Sequence, residues 1–313
     1  MSFSLETKNE LARIKPEKKC CQLAEIAGFI RMGGTVRLSG GGKLTLILST
    51  ENPAVARHYK TLLKEYFGAS ANLLVGHANF QKKGHLYELC LDEGMDAEQM
   101  LRETGILLVR EGCNYIGDGI YEELLKTKCC RKSYLRGVFL GAGTLNDPEK
   151  GYHLEIVCST EALAADVKKL FNGFVDIHAK TCKRKNHFVV YLKGSEQITD
   201  ILNILGAHGQ LLKFENVRIV KGIRNQTNRI SNCDNANLDK ALRAAEKQIA
   251  DIRKIIGGRG MESLPEKLRK VAAVRLEHPD VSLSELGEMM KPPLNKSGVY
   301  RRLKKIEETA DKL

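Results

Sequence analysis

The chain has 313 residues, enough for two domains with a substantial core, and carries a formal net charge of +12 with a pI near 9.2, which favours a polyanionic partner. No apolar run approaches the ~20 residues a membrane helix requires, and the opening Met-Ser-Phe-Ser-Leu-Glu-Thr-Lys lacks an apolar signal core, so a membrane partner is excluded and a cytoplasmic protein is expected. The nine Cys occur as the pairs Cys20-Cys21 and Cys129-Cys130 plus five singles; without a Cys-x-x-Cys they read as buried or tolerated thiols, and neither metal nor cofactor is expected.

Residues 3–33 read as helical, with Leu11, Ile14, Leu23, Ile26, Ala27 and Ile30 on one side. Strands are expected at Thr35–Leu38 and Lys43–Leu48 around Ser39-Gly40-Gly41-Gly42. That Gly run lacks the Lys-Ser/Thr and following helix of a phosphate loop, so it reads as a hairpin turn. Asn52–Phe67 is an amphipathic helix, strands follow near Asn72–Phe80 and His85–Leu91, and Asp96–Thr104 returns as helix.

The order then repeats. Aligning Gly28 with Gly137 gives an offset of 109 residues that relates Leu23-Ala-Glu-Ile-Ala-Gly-Phe-Ile-Arg-Met-Gly-Gly34 to Tyr134-Leu-Arg-Gly-Val-Phe-Leu-Gly-Ala-Gly143. Ser49-Thr50-Glu51 then answers Ser159-Thr160-Glu161, and Lys82–Leu89 answers Arg184–Tyr191. Gly costs ~1 kcal/mol in a helix interior, so glycines repeated in both copies point to close backbone approach. The expected unit is αββαββα, made twice: a hairpin around Asn146–Gly151, a helix from Glu161, a hairpin across Lys183–Lys185 and a helix from Glu196 to Leu205 complete the second copy.

This unit, with Gly/Ala helices at a pseudo-twofold axis, resembles the LAGLIDADG homing-endonuclease fold. The resemblance implies that the two helices form a seam, that the sheets form a saddle over DNA, and that the last acid of each motif holds a divalent metal. In this sequence those acids fall on Gly33 and Ala142, neither of which can ligate a hard cation. Glu25, Asp147 and Glu149 are near in sequence but not at the matching positions. No catalytic residue and no metal ligand is therefore assigned.

Residues 213–260 carry eleven Lys/Arg against five acids. Lys213–Ile230 reads as a basic linker or an arm along phosphates; a long helix follows, with Leu238, Leu242, Ala245, Ile249, Ile252 and Ile256 as one seam. The last 50 residues read as three helices. The first starts at Leu264-Pro265, with Leu268, Val271, Ala272 and Leu276 buried, and stops at His278-Pro279. Ser282-Leu-Ser-Glu285 is a capping box opening Leu283–Met290, and Lys291-Pro-Pro-Leu294 breaks that helix. Asn295 caps the last helix, where Val299, Leu303 and Ile306 face inward. Gly287 and Gly298 are expected where two helices cross. This is a helix-turn-helix pattern with the last helix as reader.

Asn228-Arg-Ile-Ser-Asn-Cys-Asp-Asn-Ala-Asn-Leu238, Ser282-Leu-Ser-Glu-Leu-Gly287 and Lys296-Ser-Gly-Val-Tyr-Arg-Arg-Leu303, following a degenerate LAGLIDADG half, resemble the WhiA family over nearly the whole chain. The resemblance implies a bacterial, nucleoid-associated DNA-binding regulator of sporulation or of cell division and chromosome segregation. The expected fold class is α+β: a duplicated LAGLIDADG-like domain with a saddle of antiparallel sheets (1–212, halves about 1–108 and 109–212), a linker and long helix (213–260), and an all-α helix-turn-helix domain (261–313).

The expected partner is double-stranded DNA, with other transcription regulators or RNA polymerase as further candidates. Contact candidates are Ser282, Ser284, Asn295, Lys296, Ser297, Tyr300, Arg301, Arg302, Lys304 and Lys305, and in a second group Arg224, Arg229, Lys183, Arg184 and Lys185. Arg37, Lys43, Lys82 and Lys83 also fall on or beside the expected saddle hairpins. Three readings stay open at this stage: a regulator that cuts nothing, an active endonuclease, and a protein-binding scaffold.

Overall fold

A computed structural model describes residues 2–38, 44–77, 85–91 and 95–313, and divides into two compact units, Met1–Val220 and Lys221–Leu313. Unit one opens with α1 (Phe3–Leu11) and α2 (Lys19–Gly33), then runs β1 (Gly34–Leu38), β2 (Leu44–Thr50), α3 (Pro53–Phe67), β3 (Asn72–His77), β4 (His85–Leu91) and α4 (Met95–Glu103). After the β5–β6 hairpin (Leu107–Arg110, Cys113–Ile116) and a 3-10 turn, the same order returns. It runs α5 (Lys128–Ala142), β7 (Gly143–Leu145), β8 (Leu154–Cys158), α6 (Glu161–Asn172), β9 (Lys180–Arg184), β10 (His187–Leu192) and α7 (Ser195–Leu205). The αββαββα unit is present twice, and each copy folds its strands into one antiparallel sheet, in orders β1-β2-β4-β3 and β7-β8-β10-β9.

The repeat predicts the seam. α2 and α5 pack against each other more extensively than any other pair of helices. A Cβ on Gly28 would lie 2.3 Å from the carbonyl oxygen of Tyr134, and one on Gly137 would lie 2.1 Å from that of Glu25. Real side-chain carbons do not come that close, so each glycine admits the other helix's backbone. Around the crossing, Ile26, Phe29, Leu135, Val138 and Phe139 are buried in a core that both sheets share. The ring of Phe29 stacks on that of Tyr59 from α3 with centroids 3.7 Å apart.

Three expectations are corrected. Residues 3–33 are two helices, because Pro16 lacks an amide donor and disfavours helix in the residue before it. The β5–β6 hairpin lies where no element was expected. Lys213–Ile230, read as a linker or arm without regular structure, is helical: it belongs to α8, a single helix from His208 to Gly258, and the boundary between the two units falls within it. Its start is held by α1, where the Glu10 carboxylate accepts from the amides of Gly209 (2.7 Å) and Gln210 (2.9 Å). A carboxylate satisfying the first free amides of a helix is favoured by both hydrogen bonding and the helix dipole. The Ser39–Gly42 turn and the hairpin tip with Lys82 and Lys83 lie outside the described residues.

Unit two packs α9 (Glu266–Glu277), α10 (Leu283–Glu288) and α11 (Lys296–Ala310) around its own core. Leu264, Leu268, Val271, Leu286, Met290, Val299, Leu303 and Ile306 close over Ile252 and Ile255 of α8. Leu276 is only half-buried, and the expected α8 seam holds in part: Ala245 and Ile252 are buried, whereas Leu238, Leu242 and Ile256 are exposed. Among the described residues no helix is long and apolar enough to cross a membrane.

Candidate nucleic-acid interface

The last helix is positioned by two caps and a buried arginine. Ser282 Oγ accepts from the amide of Glu285 (3.3 Å) while Glu285 Oε2 accepts from the amide of Ser282 (2.8 Å), closing the expected capping box. Those hydrogen bonds, backbone first, hold the Glu285 carboxyl below its usual range. Gly287 lets the following turn fold back: a Cβ there would be 2.1 Å from the Leu294 carbonyl oxygen, and the Leu294 amide donates to the Gly287 carbonyl at 2.9 Å. Asn295 Oδ1 then accepts from the amide of Gly298 at 2.8 Å and starts α11. Gly298 meets this cap and Leu294 rather than a crossing helix, which corrects the role expected of it.

Arg275 is the residue that the sequence reading missed. Only 2% exposed, it donates through Nε to Gln248 Oε1 (3.1 Å) and through a terminal nitrogen to the Val281 carbonyl (2.8 Å), so it fixes the segment leading into α10. Burial lowers its pKa from the ordinary arginine value. The only sequence signal was a charge on the apolar side of α9.

On α11, Val299, Leu303, Ile306 and Ala310 are buried, and helical spacing places Ser297, Arg301, Lys304 and Lys305 on the opposite face. Lys296, Ser297, Tyr300, Arg301, Lys304 and Lys305 are exposed; Arg302 is half-buried at the border between core and solvent. Ser284 is exposed on α10, while Ser282 and Asn295 use their side-chain oxygens as caps. The structure thus gathers the first group of candidates into one module with a basic outer face. Arg224 and Arg229 are exposed on α8.

Lys183, Arg184 and Lys185 belong to unit one, at the end of β9 and in its turn, and they do not form one patch. Lys183 pairs with Phe188, whose other partner, Cys158, is in the core, so Lys183 takes the helix-side face; its Nζ lies 5.7 Å over the Phe188 ring. Arg184 takes the face away from the helices, 3.4 Å from Glu155 Oε2, which also contacts His153 Nε2 at 3.0 Å. Lys180, two residues before Cys182 and four before Arg184, shares that second face. Arg218, expected in a basic joint, is bound to Glu215 at 3.0 Å.

Gly33 and Ala142 are the last residues of α2 and α5, so the positions of the two expected acids do fall at matching helix ends. The acid at the seam is elsewhere. Glu25, fully buried, contacts His58 Nε2 at 2.8 Å and accepts from Arg136 at 2.9 Å, and Arg136 Nε donates to the Leu205 carbonyl at 2.8 Å. Burial and the neighbouring Glu25 push the Tyr59 hydroxyl well above the usual tyrosine range. Asp147 Oδ1 accepts from the amide of Glu149, a local turn contact.

The class that this architecture defines is a duplicated LAGLIDADG-like body followed by a helix-turn-helix module. Three family descriptions match in chain order: the WhiA N-terminal LAGLIDADG-like domain over residues 19–107, the WhiA LAGLIDADG-like domain over 131–224, and the WhiA C-terminal HTH domain over 227–310. The chain belongs to the WhiA family. It is 46% identical over 313 residues to the "Probable cell division protein WhiA" of Desulforamulus reducens, covering 100% of this chain and 96% of the relative. The protein of the same name from Heliobacterium modesticaldum is 47% identical over 311 residues, covering 99% and 96%. Among solved structures, full-length DUF199/WhiA from Thermatoga maritima superposes with a TM-score of 0.60 at 26% identity, covering 100% of this chain and 99% of that one.

Proposed function

We propose that this protein is a bacterial regulator that binds double-stranded DNA sequence-specifically through α11 and cuts nothing. The observation that carries the reading is the outer face of α11, where Ser297, Arg301, Lys304 and Lys305 project opposite a buried apolar stripe. In helix-turn-helix proteins that helix enters the major groove with its first turns against base edges. Tyr300 and Arg301 then read bases, with the amide nitrogen of Asn295 as an added donor. Arg302, Lys304 and Lys305 bind phosphates, and Ser282 and Ser284 approach the backbone from α10. Arg224, Arg229, Arg184 and Lys185 extend the electrostatic footprint. The name carried by the relatives supports a role in cell division, and with it a cytoplasmic, nucleoid-associated location.

The endonuclease reading is disfavoured by chemistry on the chain itself. Glycine and alanine at positions 33 and 142 offer no carboxylate, and Glu25 is tied to His58 and Arg136 inside the core. Purified chain incubated with supercoiled DNA and Mg²⁺ or Mn²⁺ is expected to leave it intact; metal-dependent breaks that co-purify with the protein would reject this half of the proposal. The binding half is tested by footprinting on genomic fragments. Arg301→Ala should relax base preference and cost ~1–3 kcal/mol. Lys305→Ala should weaken all sites alike and lower the salt slope by ~0.9. Unchanged site preference in Arg301→Ala would show that another surface reads the sequence.

A further inference from the structure

The two vicinal cysteine pairs obey the same offset as the glycines. Cys20 corresponds to Cys129 and Cys21 to Cys130, each pair following a lysine at the first turn of a central helix. α2 and α5 cross with both pairs at the same end of the seam. The sulfurs of Cys20, Cys21 and Cys130 all lie within 4.8 Å of one another. Cys129 lies beside the group, under the influence of the Cys21 and Cys130 thiols, with its sulfur 3.1 Å from Thr127 Oγ1.

We propose that Cys20, Cys21, Cys129 and Cys130 form a tetrahedral thiolate site for a zinc ion that staples the first turns of α2 and α5. Zinc–sulfur bonds of ~2.3 Å in a tetrahedron put sulfurs ~3.8 Å apart, so the Cys20, Cys21 and Cys130 sulfurs need a contraction of about 1 Å at most, and the Cys129 side chain moves in to supply the fourth. A set of four sulfurs selects a soft or borderline cation and rejects the hard, oxygen-seeking ones that the acids of a LAGLIDADG site would hold. Both pairs sit at helix N-termini, with Lys18, Lys19 and Lys128 alongside, which offsets part of the cost of forming thiolates there. The Thr127 hydroxyl, and then the Cys21 thiol, lower Cys129 to about 7, while burial raises Cys21 to about 12 and raises Cys130 as well. Metal entry must therefore displace protons from the buried pair, and affinity should fall as pH drops. Cys20 is exposed, which leaves the ion a route in, while the buried Cys21 and Cys130 close the core side. The site lies about two helical turns from the Gly28–Gly137 crossing, so it clamps the duplicated halves at a second point.

The test uses the full chain, stripped of metal under reducing conditions and titrated with zinc alone or with cobalt as a spectroscopic probe. One equivalent is expected, with the intense visible absorption of tetrahedral thiolate-bound cobalt. Loading should raise the melting temperature by at least about 4 °C. The double variant Cys20→Ser/Cys129→Ser, which spares both buried thiols and is checked for native circular dichroism, should lose the equivalent and the thermal shift. Cys113→Ser/Cys233→Ser, at exposed thiols of other elements, should keep both. If the double variant misfolds, Cys20→Ser alone replaces it, with the same expected loss. Substoichiometric zinc in the wild type, or equal binding by the cluster variant and wild type, would each overturn the proposal.

Discussion

Arg136 shows what one residue contributes to this seam and what a single sequence can reveal of it. It sits between Leu135 and Gly137 in the repeated helix, and the repeat predicted where its helix would lie but not which acid it would meet. Its partner, Glu25, belongs to the other copy, 111 residues away, and only the crossing of α2 and α5 joins them. A buried ion pair is a weak source of net stability, yet removing one partner strands the other charge. Arg136→Met leaves Glu25 with His58 alone and the Leu205 carbonyl without its donor, so a loss of ~3–5 kcal/mol is expected in urea unfolding of the full chain. Glu25→Leu combined with Arg136→Met should cost clearly less than the sum of the two single changes. Additive losses would mean that the two residues act independently.

At the scale of elements, the same substitution should have opposite signs in two helices. Gly28→Ala drives a methyl into the Tyr134 carbonyl at the α2–α5 crossing and should cost ~2 kcal/mol or more, since the backbone there cannot yield as a flexible side chain would. Gly222 lies in α8 with nothing within 4 Å of its would-be Cβ, so Gly222→Ala should stabilise that stretch by ~0.5–1 kcal/mol. Hydrogen exchange around residue 222 should slow roughly two- to fivefold, while exchange in the α2–α5 core stays unchanged. These elements also mark where sequence reading succeeds and fails. The seam helices announced themselves through paired glycines, and the caps at Ser282 and Asn295 through side-chain oxygens placed just ahead of an apolar helical period. The stretch from Arg224 to Ile230 is exposed on every side, so it has no buried apolar face to detect, and a helix there looks like a linker. The β9 edge failed for another reason. Lys183, Arg184 and Lys185 are contiguous in sequence, but a strand sends neighbours to opposite faces, and one charge patch became two.

For the whole molecule, the division into units decides how DNA recognition should be shared. Unit two closes a core of its own from Ile252 to Ala310, so the outer face of α11 does not depend on residues of unit one for its position. The basic residues of unit one are already engaged in part: Arg184 by Glu155 and Arg218 by Glu215. A single helix-turn-helix module makes few contacts, and tight binding generally adds a second half-site or another surface. Residues 220–313 alone should therefore retain the footprint positions of the full chain at reduced affinity, while 1–210 should bind, if at all, without sequence preference and with strong salt dependence. Substituting Arg184 and Lys185 together should lower the affinity of the full chain without moving its footprint. A selective footprint from 1–210 would instead make the inherited saddle the reader, and α11 an auxiliary clamp.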